Sequence, residues 1–279
     1  MSSVRSLLAS VWVGWYRDFG WTNPLAGITM KTIAPIASVL TASIVYWLGS
    51  TAAGAFDPTR VAYILIGAAL YAHVAAYSWV PSQAISEGKW SYVFPQVFIS
   101  PTSSAPFLVG RCLASFATSA TTSVISLTFA YYFAASLFGR AIPFIVTPLS
   151  VIQLFVALLA NIPATIGLGM LLAAYTIFAS KFEWALPSYV AGLLMVFSEA
   201  LFPVSVLPWP LSAVGNVLPF TQFIRASREA MIYGSSSAYF YYLGYGLLGG
   251  VLFLAFSLWV YRWAEKQGRR KGIIDRKVV

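Results

Sequence analysis

Charge, and acidic charge above all, is what this sequence lacks. Asp, Glu, Lys and Arg make up 9% of its 279 residues, with eight acids against 17 bases. Soluble globular chains carry roughly a quarter, so an ordinary water-facing domain is excluded. A single cysteine, Cys112, rules out an intramolecular disulfide and a Cys-based zinc site. A single histidine, His73, lies in an apolar run without acidic neighbours, which suits a neutral side chain bonded to a neighbouring helix better than a proton relay. One His and one Cys in separate runs do not make a metal-ligand set. The carboxylates form no close pair, and no nucleophile stands beside a base, so the chain is not expected to be an enzyme. It also lacks a G-x-x-x-x-G-K-[ST] phosphate loop, and so has no means of holding ATP by that route.

Apolar residues, in contrast, make up 59%. Several runs reach about 20 residues, the length that crosses a hydrocarbon core as helix. Strict alternation over about ten residues, the mark of a membrane barrel, is absent. The sequence therefore predicts an all-α integral membrane protein. A net charge of +9 would suggest nucleic acid, but seven of the bases cluster between Arg262 and Lys277, beside the last apolar run. That is a cytoplasmic flank facing anionic lipid, and no nucleic-acid partner is expected.

Three regions are expected: an amphipathic interfacial helix over 1–24, a six-helix transmembrane domain over 25–262 and a basic cytoplasmic tail over 263–279. In the first, Val4, Leu7, Leu8, Val11, Trp15 and Phe19 recur at helical spacing, and Asn23-Pro24 ends the helix. Arg17 and Asp18 precede the first long apolar run, so no cleavable signal peptide is expected. The spans are expected near 25–49, 60–80, 107–138, 145–178, 185–202 and 239–261, with Asn161 and Pro163 bending the fourth. Residues 203–233 are broken by Pro203, Pro208, Pro210 and Pro219, and read as short re-entrant helices between spans five and six. Both termini inside puts thirteen bases in the cytoplasm and four outside, which fixes the orientation by the positive-inside rule.

Three stretches carry a family resemblance. They are Asn23-Pro-Leu-Ala26 with Pro35; Glu87-Gly88 with Ser100-Pro101 and Gly110-Arg111; and Phe202-Pro-Val-Ser205 with Leu207-Pro208 and Leu218-Pro219. In this order, on six spans with both ends inside, the chain resembles the membrane-spanning permease subunits of ABC type-2 exporters. The resemblance implies a homodimer or heterodimer of permeases in the plasma membrane, each seated on a separate ATPase that binds ATP and Mg. The cargo would be an amphiphile: a drug-like molecule, a lipid or a lipid-linked glycan. A cytoplasmic coupling helix between spans two and three would meet the ATPase through Glu87, Gly88, Trp90, Tyr92, Phe94, Phe98, Ser100 and Pro101. No cofactor is expected in this chain itself.

Other residues stand out without that likeness. Glu199 is an acid in an apolar run, where an ionised carboxylate costs roughly 3 kcal/mol at a helix centre. It either lines a translocation route, with Asn161 a second candidate, or is paired with Arg225 or Arg228 at a span end. Gly246 and Gly250 form a small-residue face suited to close helix packing. The competing expectation is an ion- or proton-coupled carrier or channel without a motor, in which Glu199 and His73 would titrate.

Overall fold

A computed structural model describes residues 3–19, 23–90, 96–98, 103–138, 142–179 and 185–272. The helices are α1 (Ser3–Phe19), α2 (Pro24–Ala52), α3 (Pro58–Trp90), α4 (Ala105–Phe138), α5 (Pro148–Ala160), α6 (Ile162–Phe178), α7 (Ala185–Phe197), α8 (Trp209–Val217), α9 (Pro219–Arg228) and α10 (Ser236–Lys271). A π-helical turn, Glu229–Tyr233, joins the last two. Strands are absent among the described residues.

Proline is the first or second residue of most of these helices, because its missing N–H is one the first turn cannot use. A side-chain oxygen just upstream takes a neighbouring amide. Leu25 N–H donates to Asn23 Oδ1 at 3.0 Å, and Thr59 N–H to Asp57 Oδ1 at 2.9 Å. Ahead of α5, Thr147 and Ser150 cap one another reciprocally. Such ends arrest the chain where an apolar run begins.

Among the described residues, five stretches are long and apolar enough to cross a membrane: 25–52, 58–89, 105–136, 148–178 and 236–271. The fourth combines α5 and α6, which meet at a break at Asn161, where Pro163 offers no N–H to the preceding turn. The stretch expected as a fifth span, 185–202, differs. Its helix α7 stops at Phe197 after 13 residues, about 20 Å of rise against a core of about 30 Å. The chain turns there because Glu199 adopts a left-handed backbone, φ 59°. The second span also differs, running on through Pro81 to Trp90. Gly169 of α6 makes room, since a Cβ there would meet the Pro81 ring at 2.5 Å. Glu87 and Gly88 therefore sit in the last turn of α3 rather than opening a new helix.

Apolar side chains are distributed inside out. α3 and α6 form the centre, with Leu65, Ile66, Leu70, Met170 and Ala173 buried. α10 turns Tyr241, Tyr245, Leu248, Leu252, Phe256 and Trp259 outward at spacings of three and four. Its small residues face inward: a Cβ on Gly250 would lie 3.3 Å from that of Ala164, and one on Gly246 would lie 3.1 Å from that of Gln222. α1 follows the same rule. Val4, Leu8, Trp12 and Trp15 are exposed, while Ser10 and Gly14 pack on Gly110 and Ala114 of α4. Where lipid replaces water, burying apolar surface between helices gains little and close backbone approach decides which face packs. The molecule is thus a multi-pass membrane protein.

Candidate functional site: a walled cavity and a buried ionic cluster

Two polar assemblies lie at opposite ends of α3. At its C-terminal end, an open cavity of about 770 Å³ lies between α1, α2, α3 and α4. α3 supplies a largely apolar wall from Tyr71, Ala72, Ala75, Ala76, Trp79 and Val80, with Gln83 at its end. α4 supplies the facing wall with Arg111, Ser115, Thr118, Ser119 and Thr122, which repeat on one helix face. α1 and α2 add Arg17, Asp18 and Lys31 at the rim. Lys31 Nζ lies 2.9 Å from Asp18 Oδ1, and Arg17 is ion-paired with Glu87. Thr118 Oγ1 donates to Asp18 Oδ2 at 3.3 Å. Burial and then the nearby charge of Arg111 lower the pKa of Arg17 from its ordinary value.

That rim exists because α1 lies tight against α4. A Cβ on Gly110 would stand 2.6 Å from Ser10 Cβ and 2.7 Å from the Leu7 carbonyl. Only glycine lets the two backbones approach so closely.

Of the residues expected to meet an ATPase, Glu87 lies beside this cavity through its ion pair with Arg17. Glu87 and Gly88 are half-buried, and Trp90 ends α3. Tyr92, Phe94, Ser100 and Pro101 lie outside the described residues. Phe98 is inside the bundle, 4% exposed, with the Arg269 guanidinium 5.0 Å above its ring. Two further ties close this end. Lys89 Nζ donates to the carbonyls of Thr176 (2.8 Å) and Ala179 (3.1 Å), capping α6. Glu265 of α10 accepts from the Ser104 N–H at 2.8 Å and the Ser103 hydroxyl at 2.7 Å, which fixes the start of α4.

At the other end of α3, Glu199 sits in a cluster of two arginines and a tyrosine. Arg225 Nε and Nη2 donate to its Oε2 and Oε1 at 2.9 and 2.6 Å. Arg228 Nη1 is 3.6 Å from Oε2, and the Val204 N–H and Tyr63 hydroxyl also donate to the carboxylate. Burial acts to raise the Glu199 pKa, but the Arg225 hydrogen bonds, the Val204 amide and the two positive charges outweigh it, holding the carboxyl below its usual value. Arg228 is 2% exposed. It stacks 3.3 Å above the Tyr63 ring and donates to the backbone carbonyls of Tyr63, Glu199 and Ala200. Gly67 admits the Ala200 carbonyl and the Arg228 head, which a Cβ would strike. Arg228 Nη1 has the charge of Glu199 beside it but no hydrogen bond among the described residues; the other contacts hold the turn after α7 to α9 and α3.

The remaining candidates lie elsewhere. Asn161 is buried at the α5–α6 break, and its amide has no hydrogen-bond partner among the described residues. It lines neither the cavity nor the Glu199 cluster. His73 is buried in an aromatic setting, edge-on to Tyr77 and Phe116 at 5.3 Å each. Among the described residues no group of three His, Cys, Asp or Glu side chains is placed to hold a metal ion. Sequence reasoning missed Arg111 as a cavity residue. The i, i+4, i+7, i+8, i+11 polar repeat it begins was visible, but nothing in the chain says which helix faces it. Compared with protein-family models and with curated proteins, the chain finds no match.

Proposed function

We propose that this chain is the permease subunit of an ATP-binding cassette exporter that moves an amphiphile out of the cytoplasm or inner leaflet. One observation carries the reading: an open cavity of about 770 Å³ with one apolar and one polar wall, whose rim is linked by an ion pair to the end of α3. Its size and mixed lining suit a drug-sized or single-chain amphiphile. In this reading the drive comes from a partner ATPase carrying ATP and Mg, which accords with the lack of a phosphate loop in these 279 residues.

In this reading α7 is the fifth and shortest of six crossings, with Glu199 in the turn at its outer end. α8 and α9 are then the re-entrant helices, and both termini face the cytoplasm across the plasma membrane. Two permeases, alike or different, pair on two ATPases. Glu87 and Gly88, with the segment after Trp90, meet the ATPase, while Phe98 anchors that segment to the bundle. Movement of the α3 end passes through Glu87 to Arg17, and so to α1, which walls the cavity.

A motor-free ion- or proton-coupled carrier fits less well. Its titrating groups would be Glu199, which two arginines already engage, and His73, which is buried among aromatic rings. The test is reconstitution. An ATPase chain should co-purify, and its ATP hydrolysis in liposomes should rise with an amphiphilic cargo. Transport by this chain alone, without ATP, would sink the proposal.

A further inference from the structure

One charge in the cavity has no counter-charge of its own. Arg17 pairs with Glu87 and Lys31 with Asp18, which leaves Arg111. Arg111 is 7% exposed, and among the described residues no hydrogen bond or ion pair engages its guanidinium. Asp18 acts on it through space but is already held by Lys31 and Thr118. A guanidinium carries five donors in a rigid fork and keeps its charge at any accessible pH. Its donors are left to the cavity it lines, where an entering anion meets a fork that no other described side chain occupies.

Its surroundings say what kind of anion. Arg111 lies six residues after the start of α4, about 9 Å along the helix. From there the hydroxyls of Ser115, Thr118 and Thr122 run down the same wall, facing the apolar surface of Tyr71, Ala75 and Trp79. A free inorganic anion would leave that apolar wall uncovered, and a plain hydrocarbon would leave Arg111 unmatched.

We infer that Arg111 anchors the anionic head group of a single-chain amphiphile whose chain lies along the α3 wall. The inference deepens the exporter reading and rests on it for what happens to the ligand afterwards. Binding itself requires no motor.

The experiment uses the full chain in phosphatidylcholine nanodiscs, with equilibrium binding of radiolabelled dodecyl phosphate corrected against empty discs. Saturable binding at one site per chain is expected. Arg111→Gln should weaken it about tenfold or more, the loss expected for a charge-assisted hydrogen bond, while Arg111→Lys should keep part of the affinity. Ala75→Phe, which fills the apolar wall and leaves the charge in place, should also weaken binding. Unlabelled dodecyl maltoside and inorganic phosphate should both compete poorly. Affinity unchanged in Arg111→Gln would overturn the inference. So would dodecyl maltoside competing as well as dodecyl phosphate, since the head would then not be recognised. Equal competition by inorganic phosphate would make this a free-anion site and overturn it too. If Arg111→Gln fails to fold, Ala75→Phe and the two competitors still decide. Head-group-indifferent binding beside intact ATP-driven transport would remove this inference alone. Selective binding by a chain that never engages an ATPase would remove the exporter reading alone.

Discussion

Arg225 grips Glu199 through two parallel hydrogen bonds, Nε to Oε2 at 2.9 Å and Nη2 to Oε1 at 2.6 Å. This fork geometry is the strongest that an arginine and a carboxylate make. It leaves Arg228 facing the same carboxylate from its fully buried side. Glu199→Gln would keep the shape and remove the charge that both arginines share. Breaking a buried pair on one side costs about 3 kcal/mol or more, because the partner charge remains. The thermal unfolding midpoint of the purified protein should fall accordingly. A midpoint within a degree of the parent would mean that the cluster adds nothing to stability.

The same cluster makes a pH prediction with a definite sign. The Glu199 pKa is depressed in the folded chain, whereas an unfolded glutamate titrates near about 4.3. Its stabilisation is therefore complete above that unfolded value and is lost as pH falls toward and through the lower folded pKa. The difference in melting midpoint between the parent and Glu199→Gln should be constant from neutral pH down to about pH 5, then narrow in more acidic buffer. A difference that widened on acidification would reverse the sign and exclude the ion-paired state.

Gly67 and Gly192 give a paired test of close packing. A Cβ on Gly67 would strike the Ala200 carbonyl and the Arg228 head, whereas a Cβ on Gly192 meets nothing within 4 Å. Gly67→Ala should destabilise by roughly 2–3 kcal/mol, since backbone must move to admit it. Gly192→Ala, on an exposed face of α7, should stabilise by roughly 0.5–1 kcal/mol through helix propensity. Melting curves of the two variants should shift in opposite directions.

These contrasts show what the sequence could and could not convey. The break at Asn23-Pro24 was legible because it is local, and there the structure both leaves α1 behind and caps α2 within two residues. Five spans followed from apolar length alone. The passage of α3 through Pro81 was hidden, since it depends on Gly169, 88 residues away in sequence. The early end of α7 was hidden too, because Glu199 takes its left-handed turn for the sake of Arg225, Arg228 and the Val204 amide. For α1 the periodicity was visible, but the packing face was not. The large residues that would face a core in water face outward here, and Ser10 and Gly14 make the contact. Arg111 became a cavity residue only when α1, α2 and α3 closed around it.

The Arg17–Glu87 pair tests whether motion passes from α3 to α1. Both side chains are about one-third to two-fifths exposed, so the pair itself adds at most about 1 kcal/mol of stability. Reversing either charge should leave the melting midpoint nearly unchanged. Arg17→Glu, however, sets two acids together, and Glu87→Arg sets two bases together, so each should separate α1 from the end of α3. Under the exporter reading each single reversal should lower cargo-stimulated ATP hydrolysis several-fold, while basal hydrolysis by the partner persists. The double reversal, Arg17→Glu with Glu87→Arg, recreates the attraction with its poles exchanged and should restore much of the stimulation. Rescue separates a link within this chain from a contact that Glu87 makes with the ATPase. In the latter case Glu87→Arg would stay uncoupled whatever stands at position 17, and the route through α1 would be wrong.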